Sequence, residues 1–106
     1  MSENALPAGT IITPVGRITY SADVVATIAA LAVSTVEGVN PAKKSRGVRL
    51  EMEADAVEVY LEVVIRMGEV LKEVCAQVQS SVEQAIDTMT NLKVRAVHVT
   101  VTGIAA

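Results

Sequence analysis

The chain has 106 residues, of which 51% are hydrophobic and 20% charged, which suits one domain with a sizeable core and argues against disorder. A net charge of −3 opposes unspecific attraction to phosphates or anionic lipid, and two tyrosines as the only aromatic residues leave little for base stacking, so nucleic acid is not expected as a partner. The single cysteine cannot form an internal disulfide and MSENALPAGT lacks the features of a signal peptide; both favour a cytoplasmic location.

The N-terminal part of the chain divides into a tail and the start of the domain. Residues 1–14 contain prolines and glycine among small polar residues and predict a tail, with a short edge strand at Ile11–Ile12 as its one candidate element. Val15–Tyr20 alternates and predicts a first strand. We therefore place a single domain at residues 15–106.

A helix is predicted directly after this strand. Ser21 is a suitable N-cap and Asp23 lies in the first turn, where the helix dipole favours a carboxylate. Gly38 is the predicted stop. Val24 and Leu31 widen the apolar stripe, which predicts burial of much of the circumference. The stripe consists of Val25, Ile28, Ala29, Ala32 and Val36.

The same apolar segment raises the question of membrane insertion. A helix that crosses a bilayer needs about 20 mostly apolar residues. Ala22–Val36 is shorter, and Glu37-Gly38 and Asn40-Pro41 close it. We expect a buried core helix, so contact with a membrane would be indirect, through a partner.

A loop and a hairpin follow. VNPAKKSR, residues 39–46, predicts a basic loop, and Val48–Glu53 predicts a strand that alternates apolar and charged residues. Ala54-Asp55 predicts a tight reversal. The next strand, VEVYLEVVIR, has one wholly apolar face. That face consists of Val57, Val59, Leu61, Val63 and Ile65.

A second helix and a last strand complete the chain. Residues 69–89 predict an amphipathic helix, and Asn91 can adopt the left-handed conformation that ends it. Residues 92–104 predict a strand, in which a bulge near Arg95-Ala96 would bring two apolar sets of opposite parity into the core. The apolar stripe of the helix consists of Leu71, Val74, Cys75, Val78, Val82, Ala85, Ile86 and Met89.

These elements predict an α+β fold of β-α-β-β-α-β order. Two amphipathic helices and a one-sided sheet must cover each other, so we expect a two-layer sandwich with both helices on one face of a mostly antiparallel sheet. The connectivity matches the split βαβ order of ferredoxin-like folds.

Few residues are candidates for chemistry. His98 is the only histidine and is interpreted as a surface or edge residue rather than a zinc ligand, because no cysteine or spaced acidic ligand accompanies it. Cys75 lies on the predicted core stripe and is interpreted as a small buried hydrophobe rather than a nucleophile. We expect no catalytic, cofactor-binding or metal-binding residues, and no enzyme.

Two charged groups allow a structural and a functional interpretation. Lys43–Arg46 is a charged surface turn or a contact for an anion or RNA; it lacks the glycines of a phosphate loop. The carboxylates of one sheet face predict a solvated face with cross-strand ion pairs, or, with Tyr60 and Val64, a partner surface. Those carboxylates are Glu51, Glu53, Glu58 and Glu62, with Arg49 and Arg66 among them.

Four stretches in this order resemble one family over Gly16–Ile104: GRITYSADVVATIAALAVSTVEGV, GVRLEMEADAVEVYLEVVIRMG, EVLKEVCAQVQSSVEQAIDTMTNL and VRAVHVTVTGI. Together they resemble the alkaline shock protein family, the envelope stress-response proteins of Gram-positive bacteria. Met67 stands where the family often has an aromatic residue, and Asn91 where a glycine is common. The specific marks are Gly16-x-Ile18, Glu37-Gly38-Val39, Val78-Gln79 with Val82, Met89-Thr90 and Val97-x-Val99-x-Val101.

The resemblance implies a non-catalytic cytoplasmic interaction protein of the cell-envelope stress response. It would act through self-association as a homo-oligomer and through a membrane-anchored family member that recruits it to the inner face of the cell membrane. The alternative that the resemblance implies is a regulatory protein linked to acetyl-CoA carboxylase and fatty-acid synthesis.

Overall fold

The computed structural model of the protein describes residues 6–39 and 47–106. The predicted basic loop Lys43–Arg46 lies outside the described residues. The helices and strands are β1 (Thr10–Thr13), β2 (Gly16–Thr19), α1 (Ala22–Ser34), β3 (Val48–Glu53), β4 (Ala56–Arg66), α2 (Leu71–Thr90) and β5 (Lys93–Ala105).

The strands form two sheets. β1 and β2 pair only with each other, as an antiparallel hairpin, and the main sheet has the order β3-β4-β5. β3 pairs with β4 antiparallel, whereas β4 pairs with β5 parallel. The α+β class with two helices and mostly antiparallel strands is therefore confirmed. The observed order is β-β-α-β-β-α-β, which is the predicted β-α-β-β-α-β order with β1 added at its start. The predicted first strand differs from expectation in one respect: it forms β2 and stays outside the main sheet.

Local signals place α1 as the sequence predicts. The Ser21 hydroxyl accepts a hydrogen bond from the Val24 amide at 3.3 Å, which satisfies one free donor of the first turn. The helix ends at Thr35, whose hydroxyl donates to the Ala32 carbonyl at 2.7 Å. Gly38, with φ of +96°, then turns the chain toward the main sheet, where its carbonyl accepts the Arg66 amide.

The burial of α1 corrects one prediction. Val25, Ile28, Ala29 and Ala32 are buried as expected, but Val24 is 47% and Leu31 62% exposed. The predicted burial of these last two side chains is wrong. A two-layer fold covers a helix from the sheet side and from one flanking helix, so none of the described residues packs on the outer surface of α1.

The main sheet carries the core. Every alternate residue of β4 from Val57 to Ile65 is buried, as predicted, and α2 contributes its own buried stripe. The predicted bulge in β5 is confirmed: Val57 pairs with Val94 and Glu58 with Ala96, which leaves Arg95 as the extra residue. The buried stripe of α2 consists of Val74, Val78, Val82 and Ile86.

The ends of α2 follow the prediction in part. Asn91 adopts φ of +62° and its amide donates to the Asp87 carbonyl at 2.9 Å, so the predicted left-handed stop is confirmed. Leu71 and Met89 lie in the first and last turns and are exposed, so their predicted burial is wrong. Within the described residues, no helix combines the length and apolar character that a membrane span requires.

Candidate functional site

The face of the main sheet opposite the helices is the candidate site, and is called the open face below. Strand alternation requires it, because the residues between the buried valines of β4 must point the other way. The open face consists of Arg49, Glu51 and Glu53 of β3, Glu58, Tyr60, Glu62, Val64 and Arg66 of β4, and His98 and Thr100 of β5.

A row of three side chains crosses the centre of the open face. The strand register aligns Arg49 with Tyr60 and Tyr60 with His98. The Arg49 guanidinium carbon lies 4.3 Å from the Tyr60 ring centroid, which is a cation–π contact. The Tyr60 and His98 rings are stacked, with centroids 4.7 Å apart and planes 22° apart. The row is therefore ordered by its own contacts, although no helix in the described part of the chain covers it.

His98 also joins this row to a carboxylate. Its Nε2 lies 2.6 Å from Glu58 Oε2. This hydrogen bond holds the pKa of Glu58 below its ordinary value, and the partial desolvation of the carboxyl opposes the shift. Desolvation, with the nearby Glu51 and Glu58 charges, raises the pKa of Tyr60. Glu58 and Glu51 face each other directly, so the contact with His98 also offsets an unfavourable carboxylate pair.

The remaining charges form the solvated, ion-paired face that the sequence predicts. Arg95 Nη1 lies 2.9 Å from Glu53 Oε1 and bridges two strands, and Arg49 Nη1 lies 3.6 Å from Glu51 Oε2. These side chains are largely exposed, so each pair contributes about 0–1 kcal/mol at most. They therefore add little to the stability of the fold.

A hollow of about 300 Å³ opens beside the central row. It is shallow and polar, and its lining includes Gly47, Arg49, Tyr60, Glu62 and His98. In residues 6–39 and 47–106, no three His, Cys, Asp or Glu side chains are grouped as a metal site would need. That the chain has no catalytic, cofactor or metal residues stays a prediction.

The two single-copy residues have different outcomes. Sequence reasoning interpreted His98 as an ordinary surface histidine and missed its contacts with Tyr60 and Glu58, because those depend on the parallel β4–β5 register. Cys75 is half-buried on α2, and burial raises the pKa of its thiol. A raised pKa disfavours the reactive thiolate, which fits the predicted packing role.

The chain matches the model of one known protein family. The model of the Asp23 family, a name that refers to a protein and not to a residue, matches residues 40–106 and is described by a cell envelope-related function. No curated protein matches the chain.

Solved structures of the MamM CTD share the fold. A copper form of one variant matches with a TM-score of 0.53 and 15% identity, covering 78% of this chain and 98% of that chain. A nickel form of another variant matches with a TM-score of 0.52 and 15% identity, covering 76% of this chain and 96% of that chain. At this identity the likeness concerns the fold alone.

Proposed function

The chain belongs to the Asp23 family, since the match spans 67 of its 106 residues. We propose that it is a non-catalytic interaction protein of the cell-envelope stress response. It associates with copies of itself and binds a membrane-anchored protein partner. It works in the cytoplasm and is recruited to the inner face of the cell membrane by that partner.

The observation that carries this proposal is the ordered but uncovered row on the open face. Tyrosine and arginine are enriched among the residues that dominate binding energy at protein interfaces. Arg49, Tyr60 and His98 hold one another in place before any partner arrives. A partner that packs on them therefore has less side-chain entropy to overcome. Val64, on the same face, adds an apolar neighbour.

The arrangement of titratable groups supports binding rather than catalysis. A histidine oriented by a carboxylate supplies two of the three members of a nucleophile-activating triad, and His98 with Glu58 has that form. The thiol of Cys75 belongs to α2, in the layer on the other side of the sheet. The imidazole is instead stacked on Tyr60, so the His98–Glu58 pair acts as a brace, that is, it holds the central row in position.

The test is capture of partners from lysate with membranes present and absent. Tyr60→Glu and Val64→Glu place a charge at the centre of the open face and are expected to abolish capture of the membrane-anchored partner. Met67→Glu is the matched control, because Met67 is exposed and lies in the turn after β4, off the open face. Circular dichroism confirms that each variant is folded.

Each outcome bears on the proposal. Loss of the membrane-anchored partner in the two open-face variants but not in the control supports it. Equal capture by all three variants removes the open face from consideration. Capture of acetyl-CoA carboxylase subunits in place of a membrane-anchored protein supports the regulatory alternative.

A further inference from the structure

The β1–β2 hairpin, Thr10–Thr19, projects from the body of the protein and is called the arm. Every residue of β2 is exposed. Val15, at the tip, is 97% exposed and Ile12 68%. The base of the arm is fixed to the body, because the Gly9 and Thr10 amides donate to the Ala54 carbonyl in the β3–β4 turn.

The arm exposes apolar side chains on one of its two faces. A two-stranded hairpin is marginally stable by itself in water. One face of the arm packs on the core through Ile11, but the opposite face carries Ile12, and the tip carries Val15. Apolar side chains on both faces leave the second face of the arm available for burial against another molecule.

A hollow of about 510 Å³ lies at the base of the arm and is called the base hollow. Its lining combines apolar side chains with two carboxylates and one lysine. Its lining includes Leu6, Ile11, Ile12, Asp55, Asp87 and Lys93.

The charges of the arm and of the base hollow are opposite. Arg17 of β2 lies across the ladder from Ile12, and among the described residues no carboxylate lies within ion-pair distance of it. Asp87 of α2 likewise has no cationic partner in the described part of the chain, whereas Asp55 lies 3.9 Å from Lys93. A cation near the tip of the arm and an acid at its base thus both lack partners among these residues.

We propose that two copies of the chain associate about a two-fold axis by laying their arms side by side in opposite directions. Each tip then fills the base hollow of the other copy, and Arg17 meets Asp87 of the second copy. A four-residue strand spans about 13 Å, and two arms of this length laid side by side in opposite directions bring each tip to the base of the other arm. The proposal rests on the self-association proposed above and assigns its surface.

A second copy fits this surface better than an unlike protein. A two-fold interface uses the same patch twice, so the patch must contain both a projection and its complement. The arm and the base hollow supply a projection and a cavity, and Arg17 and Asp87 supply opposite charges. The arm lies outside residues 40–106, the part of the chain that the family model matches.

The first test removes the apolar tip. Val15→Asp is expected to raise the dissociation constant of the dimer by roughly tenfold or more, measured by sedimentation equilibrium over a range of concentrations. Met67→Asp is the control: Met67 is also highly exposed but lies in the turn after β4, and this change should leave the constant unaltered. Val15 is 97% exposed among the described residues, so Val15→Asp should leave the urea stability of the folded monomer unchanged.

The second test exchanges the charges. Arg17→Glu alone is expected to weaken association, and Arg17→Glu with Asp87→Lys is expected to restore it, because the pair is rebuilt with reversed signs. Restoration requires contact between these two positions and would not follow from a general loss of stability.

The outcomes separate this inference from the proposed function. A wild-type chain that is monomeric at every concentration contradicts the self-association of the proposed function and this contact with it. An oligomer that Val15→Asp and Arg17→Glu leave intact overturns the arm contact alone. Weakening by Arg17→Glu that Asp87→Lys does not reverse overturns the antiparallel arrangement.

Discussion

Two alanine substitutions on α1 measure which face of that helix is buried. Ile28 is 7% exposed and Leu31 62%, and the two residues lie one turn apart on the same helix. Truncation of a buried isoleucine to alanine costs about 2–5 kcal/mol, because the transfer energy is lost and a cavity remains. Because the free energy of unfolding of a domain is only roughly 5–15 kcal/mol, Ile28→Ala should remove a large part of it.

Leu31→Ala should cost much less. Full burial of a leucine side chain contributes about 1.5–3 kcal/mol to stability. Leu31 is 62% exposed, so somewhat over a third of its side chain is buried, and that part contributes about 0.6–1.1 kcal/mol. Alanine is also the better helix former, which reduces the loss further. We expect a destabilisation of about 1 kcal/mol or less.

The assay is urea unfolding followed by far-ultraviolet circular dichroism at two protein concentrations. The slope of free energy against urea should be unchanged in both variants, since neither alters the surface exposed on unfolding by much. A loss for Leu31→Ala as large as for Ile28→Ala would refute the burial assigned to α1. A loss that grows with protein concentration would show that a second copy covers this surface of α1.

Further predictions concern the helix ends and the titratable groups. Ser21→Ala should lower the free energy of unfolding by about 0.5–2 kcal/mol, because the first turn loses its cap, as urea unfolding will show. At Asn91, glycine should be tolerated and alanine should destabilise, because the backbone there has positive φ; thermal melting compares the two. The pKa of Glu58 is lowered in the fold, so its contribution to stability is present at neutral pH and is lost as pH falls through its folded pKa. In His98→Ala, NMR titration should find that pKa raised; no change would contradict the brace. Cys75 should react with a thiol reagent at neutral pH more slowly than a peptide thiol, because burial raises its pKa.

Features that depend on neighbouring residues could be predicted from the sequence. The cap at Ser21 and the stop at Asn91 follow from hydrogen bonds and backbone preferences within one turn of chain. The buried face of β4 follows from a period of two, and the bulge at Arg95 from a change of parity along one strand. None of these requires knowledge of which elements are neighbours in space.

Only the tertiary structure decided the features that depend on which elements meet. Tyr60 and His98 are far apart in sequence, and they stack because β5 pairs parallel with β4. The sequence of neither strand alone indicates this pairing. An apolar stripe likewise shows what a helix can bury, not what is available to cover it, and so the sequence placed Leu31 in the core while the two-layer fold left it exposed. Local preferences fix each element through a few adjacent residues, whereas strand order, layer coverage and the open face follow from the free energy of the whole packed chain.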